Sequence, residues 1–233
     1  MLLAQKRRCF KWTFIPGIKG KWMLIVGLTG GVASGKTTVS NVLKEEGAYL
    51  IEADQIAREL VQPRSPTWEE LIRVFGNDIL EKDGSIHRKK LAAKVFSDPG
   101  QRNLLNQILH PRIKEEIGRR IKEIRQKDPE AIVVFDAPLL IETGDHRKMD
   151  KVIVITSTEK QQIERLRERE GASEEDARKI LSSQIPLEEK LKVADFIICN
   201  EGSLEETRRR AKEVFQELKK IALQKKEGGA FKK

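Results

Sequence analysis

The chain has 233 residues, 39% hydrophobic and 35% charged, which suffices for one sizeable α/β core with insertions and is short for two independent domains. Its net charge of +9 sits at the ends: residues 1–22 hold six bases and no acid, residues 219–233 hold six lysines against Glu227, and the body between them is slightly acidic. With 5% aromatic residues, no apolar run near the roughly 18 residues of a membrane span, two distant cysteines and three scattered histidines, the composition argues against a nucleic-acid face, a membrane protein, a disulfide framework and a structural zinc site, and favours the cytoplasm.

Residues 1–22 read as a basic extension outside the fold, because the strand pattern starts at Met23. Leu24–Leu28 is an apolar, β-branched run leading into Gly30-Gly-Val-Ala-Ser-Gly-Lys-Thr37 and then a helical pattern. A strand, a G-x-x-x-x-G-K-[ST] loop and a helix in that order form a phosphate-binding loop. Its N–H groups, the positive end of the helix and the Lys36 ammonium suit the β- and γ-phosphates of a nucleoside triphosphate, and the Thr37 hydroxyl suits Mg²⁺.

Tyr49–Ile51 is a second short strand, followed by Glu52-Ala-Asp54. Ligands of open α/β sheets sit beyond the carboxyl ends of the strands, so Asp54 is a candidate general base for an acceptor hydroxyl; its alternative role is a helix cap. About eighty residues of mostly helical pattern precede the third strand, Ile132–Phe135. A crossover needs about a dozen, so residues 63–129 are expected to form an inserted helical substrate domain. Within it His110-Pro111 reads as a helix-start element rather than a catalytic pair. Asp136, ending the third strand, reads as a carboxylate holding Mg²⁺ through water, and Glu142 has the plainer reading of a surface acid.

After a fourth strand at Val152–Ile155, residues 159–185 read as a charged helical hairpin serving as a lid. Its alternating Arg165, Arg167 and Arg169 with Glu164, Glu168 and Glu170 suit a solvated helix, but phosphoryl transfer needs guanidinium groups near the γ-phosphate. Arg165 and Arg169 are the candidates. Phe196–Ile198 is a fifth strand, and the basic tail, residues 223–233, is expected to fray. The whole predicts an α/β fold: a five-stranded parallel sheet with helices on both faces, its core in residues 23–62, 130–158 and 186–222.

Several motifs in this order resemble the dephospho-coenzyme A kinase family: Gly27–Thr38, Glu52–Arg58, Phe75-Gly76, Asp83–Arg88, His110–Ile113, Asp136–Glu142, Gln162–Arg169, and Gln184 through Ala194–Gly202. The resemblance covers residues 23–222 and implies a P-loop kinase that uses ATP to phosphorylate the ribose 3′-hydroxyl of dephospho-coenzyme A. It implies that Asp54 is the catalytic aspartate, with Lys36, Arg165 and Arg169 acting on the transferred group. Gly31, Val32, Ala33, Ser34, Gly35, Lys36, Thr37 and Thr38 would hold ATP, with Asn200 and Gly202 near adenine and Mg²⁺ at Thr37 and Asp136. Arg58, His87, Arg88 and His110 fall in segments used around the substrate. The chain departs from the family pattern at Glu52, where aspartate is frequent, and at Ile180, where arginine is frequent. The expected partners are the two small-molecule substrates, with no nucleic acid or membrane, and a monomer or weak oligomer.

Overall fold

The computed structural model describes residues 22–230; the extension lies, but for Trp22, outside the described residues. Five strands, β1 (Leu24–Gly30), β2 (Tyr49–Glu52), β3 (Ile132–Asp136), β4 (Lys151–Thr156) and β5 (Phe196–Cys199), form one sheet in the order β2-β3-β1-β4-β5. All pairings are parallel. β1 is central, so its carboxyl end opens between β3 and β4, where a ligand meets the greatest number of strand ends.

The central strands are apolar throughout because both faces are covered. Side chains alternate with the strand period of two. Leu24, Val26, Leu28, Val134 and Ile153 join one cluster with Val39, Val42 and Leu43 of α1 (Lys36–Glu45) and Ala211, Phe215 and Leu218 of α9 (Leu204–Ala230). Ile25, Val133, Phe135 and Val154 join the other, which continues without a break into the helices of the long insertion. These are α3 (Pro66–Phe75), α4 (Arg88–Ser97) and α5 (Pro99–Lys127), with α2 (Ala53–Leu60) leading into them from β2. The insertion therefore shares the core of the sheet.

Local signals fix the helix starts. Ser65 caps α3 by accepting from Trp68 N–H, with Pro66 in the first turn, and Asp98 caps α5 ahead of Pro99. His110-Pro111 does not start a helix: Pro111 lies inside α5. A proline there forfeits one hydrogen bond and costs about 3 kcal/mol. The buried stripe of Leu105, Ile108, Leu109, Ile113, Ile117 and Ile121 runs past it on both sides, and that burial outweighs the local cost. The carbonyl that Pro111 leaves without its helical donor is that of Gln107; one residue on, the Arg112 guanidinium donates to the Ile108 carbonyl at 2.6 Å.

The carboxyl-terminal segment also departs from expectation. α9 continues to Ala230, through most of the tail expected to fray; residues 231–233 lie outside the described residues. Lys225 anchors it by donating to the Met23 carbonyl at 2.7 Å and to Asp150 at 2.9 Å, at the start of the central strand. Glu142 is likewise no ordinary surface acid. It pairs at 3.2 Å with Lys190, which is only 2% exposed, on α8 (Leu187–Leu191).

Removing one member of such a buried pair strands the other in a poorly solvated place. Lys190→Met is expected to lower stability by about 3 kcal/mol, a fall in melting temperature of roughly 6–12 °C for a chain of this size. The double variant Lys190→Met/Glu142→Leu should recover most of that loss. Thermal melting of the parent, both single variants and the double variant gives the coupling energy, and additive losses would contradict a working pair.

Candidate active site

The chain leaves β1 through the phosphate loop and enters α1 at Lys36. Gly35 sits at φ +91°, a left-handed conformation that a side chain would strain, and a Cβ there would lie 1.8 Å from the Asn200 amide nitrogen. The backbone of Gly31 needs no such freedom. A Cβ there would meet only the end of a flexible side chain, Gln162 Nε2 at 2.4 Å, and would displace it. Ala33 takes φ +56° without being glycine.

Gly30 through Thr37 line a cleft of about 860 Å³, together with Asp54 and Arg58 of α2, Ala137, Pro138 and Leu139 after β3, and Arg165, Glu168 and Arg169 of α6 (Glu159–Glu170). A smaller, largely apolar cavity of about 220 Å³ adjoins it under α4 and α5, lined among others by Asp54, Arg58, Arg88, Leu91, Leu105 and Leu109. Asp54 and Arg58 lie one helical turn apart and line both spaces.

Lys36 Nζ is in direct contact with Asp136 Oδ1 at the end of β3. Asp136 is 7% exposed, and burial pushes its carboxyl above the usual range. Lys36 opposes that rise, while Glu52 and Asp54 add to it. Glu52 faces Asp136 in the β2–β3 register. Three carboxylates and one ammonium thus share the floor of the site. Asp54 does not cap α2: the cap position belongs to Glu52, without a side-chain cap bond, and Asp54 lies in the first turn, where its charge suits the helix dipole.

Arg165 donates to the Ala33 carbonyl at 3.1 Å and to the Asn200 carbonyl at 3.2 Å, while Arg169 is exposed beside Glu170. Arg178, near the departure at Ile180, bonds Glu159 and Glu174. Asn200 is buried beneath the loop, donating to the Ser34 carbonyl at 2.8 Å and accepting from the Thr207 hydroxyl at 2.8 Å. Gly202 lies beside Glu206. Thr38, Asn200 and Gly202 are not among the residues lining the two spaces, and neither are His87 and His110. His87 caps α4 by accepting from Lys90 N–H at 3.4 Å. Burial holds the His110 imidazole below its ordinary pKa.

The sequence reading gave no role to Gln162, Gln184 or Thr207, all of which support the loop directly or through Asn200. A glutamine or threonine carries no charge or motif chemistry of its own, so only the fold reveals these contacts.

Comparisons with known proteins identify the family. The family model described as dephospho-CoA kinase matches residues 24–206. A dephospho-CoA kinase of Corynebacterium glutamicum is 45% identical over 196 residues, covering 84% of this chain and all of the relative. One of Syntrophotalea carbinolica is 45% identical over 186 residues, covering 80% and 88%. Among solved structures, the dephospho-CoA kinase of Campylobacter jejuni matches with a TM-score of 0.63 at 33% identity, over 85% of this chain and 98% of that one. TT1252 of Thermus thermophilus matches with a TM-score of 0.70 at 30% identity, over 84% and 97%. A match over this share of the chain, at these identities, leaves one assignment: the chain belongs to the dephospho-CoA kinase family.

Proposed function

We propose that in this dephospho-CoA kinase Asp54 orients and deprotonates the ribose 3′-hydroxyl of dephospho-coenzyme A for in-line attack on the γ-phosphorus of ATP. The observation that carries this reading is that Asp54 and Arg58 line both the cleft of the phosphate loop and the cavity beside it. A group that must touch the acceptor oxygen while facing the transferred phosphate belongs at such a junction. The loop residues Gly31 to Thr38 then cradle the ATP phosphates. Arg165 and Arg169 border the cleft from the lid, Arg58 and Arg88 offer cationic contacts to the acceptor's phosphates, and Leu91, Leu105 and Leu109 give an apolar wall. His87, His110, Asn200 and Gly202 would act by shaping these walls.

The donor set fits Mg²⁺. Thr37 brings a hydroxyl at the start of α1, and Asp136 is a carboxylate whose burial and acidic neighbours favour a cation beside it. Magnesium keeps several waters and takes few protein ligands beside substrate phosphates, so Thr37 and Asp136 would hold it. When bound, it would neutralise charge on the β- and γ-phosphates. Lys36, now occupied by Asp136, would swing to the phosphates. No helix among the described residues is long and apolar enough to cross a membrane. With only two cysteines in the chain, the reading is of a cytoplasmic enzyme working on two small molecules.

Asp54→Asn is expected to lower kcat about 10²- to 10⁴-fold, roughly 3–5 kcal/mol of barrier, with little change in KM for ATP. Glu52→Gln should lose far less. Steady-state assays with both substrates separate the two, and full activity in Asp54→Asn would remove the proposed base.

Lys36→Met is expected to abolish most turnover, by at least about 10²-fold. It also removes the nearest opposing charge from Asp136, so that carboxyl rises further above its ordinary value of 3.8. A carboxyl raised in the folded state binds more protons there than in the unfolded chain, so stability falls as pH increases through the window above 3.8. The deficit of Lys36→Met against the parent should therefore grow from acid to neutral pH in thermal melting without nucleotide. A deficit independent of pH would contradict the pairing.

A further inference from the structure

The roots of the lid meet at one residue of the phosphate loop. Gln162, in the first turn of α6, donates through Nε2 to the Val32 carbonyl at 2.9 Å. Gln184, just after α7 (Glu174–Ser182), accepts from the Val32 N–H at 3.1 Å through Oε1. The N–H belongs to the peptide before the Val32 Cα and the carbonyl to the peptide after it. Two bonds on the two peptide planes therefore fix both backbone dihedrals of this residue.

The same pattern continues along the loop. The carbonyls of Val32, Ala33 and Ser34 are held in turn by Gln162, Arg165 and Asn200. In a trans peptide the C=O and N–H point in opposite directions. Holding the Val32 and Ser34 carbonyls through Gln162 and Asn200 turns the N–H groups of Ala33 and Gly35 to the opposite side, while the Ser34 N–H between them donates to the Gly31 carbonyl at 3.1 Å and closes the turn. Apolar contacts reinforce the arrangement, since Val32 and Ala33 pack against Ile163, Leu166 and Ala177 in the core of the lid hairpin. A Cβ on Gly31 would push the Gln162 carboxamide out of this bond.

We infer that Gln162 and Gln184 are positioning residues that clamp Val32, preorganise the anion-binding face of the phosphate loop, and make its shape depend on both roots of the lid. The inference rests on the reading of residues 30–37 as the ATP phosphate site. The clamp has a polarity. At Gln162 the side chain must donate and at Gln184 it must accept, so glutamate can replace the second and not the first.

The test uses the full chain and four variants: Gln162→Leu, Gln184→Leu, Gln162→Glu and Gln184→Glu. ADP binding by calorimetry, KM for ATP and for dephospho-coenzyme A, and melting temperature are measured for each. Each leucine variant should weaken ADP binding and raise KM for ATP about five- to tenfold, the scale of one hydrogen bond. KM for dephospho-coenzyme A should stay within about twofold and the melting temperature within a few degrees. Both glutamates add the same charge at neighbouring places, yet Gln162→Glu should bind ADP at least about fivefold more weakly than Gln184→Glu. Leucine variants that bind ADP within twofold of the parent, equal losses in the two glutamate variants, or a parallel rise of both KM values with a collapse in melting temperature would each overturn the clamp. A folded parent that binds no ADP would overturn the phosphate-loop reading itself, and the clamp with it.

Discussion

A loop that binds phosphate must turn a row of peptide N–H groups to one side, and the carbonyls turned to the other side must then find partners. Here the partners are side chains of α6 and of the segment after β5. That requirement ties together parts of the chain that are far apart in sequence. β4 and β5 flank the central strand on one side and set α6 and Asn200 behind the loop. Thr207, in the first turn of α9, orients the Asn200 amide by donating to its oxygen. The sheet order thus does more than form a core; it brings up the side chains that hold the carbonyls of the loop.

The other side of β1 supplies the charge. β3 and β2 end level with each other, which brings Glu52 and Asp136 into register and Asp54 one turn onward. The Glu52 and Asp54 charges add to the rise that burial imposes on the Asp136 carboxyl, and the Lys36 ammonium opposes it. On the proposed reading, an arriving anionic nucleotide would compete with Asp136 for the same lysine.

The helical insertion illustrates how far burial overrides local preference. Pro111 stands within a helix of 29 residues because one face of that helix is apolar on both sides of it. A proline is a strong local punctuator, and a helix break there is the natural reading. The sheet face offers a continuous surface of Ile25, Val133 and Phe135 to cover, and a broken helix would leave part of it exposed. Lys190 and Glu142 make a similar point about charge: neither sequence neighbourhood shows that a lysine of a short helix and an acid after β3 meet in a buried place.

The sequence by itself determined the period-two and period-3.6 patterns, and hence the five strands, the parallel sheet and the long helical insertion. It also determined the phosphate loop and the two acids at strand ends, because glycines, a lysine and carboxylates at fixed spacing carry their chemistry within a few residues. The tertiary structure alone decided which neutral side chains support that chemistry. Gln162, Gln184 and Asn200 act through contacts more than a hundred positions away in the chain. Such bonds exist only once the sheet has fixed the distances: the two glutamines have no role to announce them, and Asn200 is expected from the motif beside adenine rather than on the Ser34 carbonyl. The fate of α9 was decided in the same way, since its last turns hold through the anchoring of Lys225 on the start of β1, a partner that no local pattern of lysines and glycines discloses.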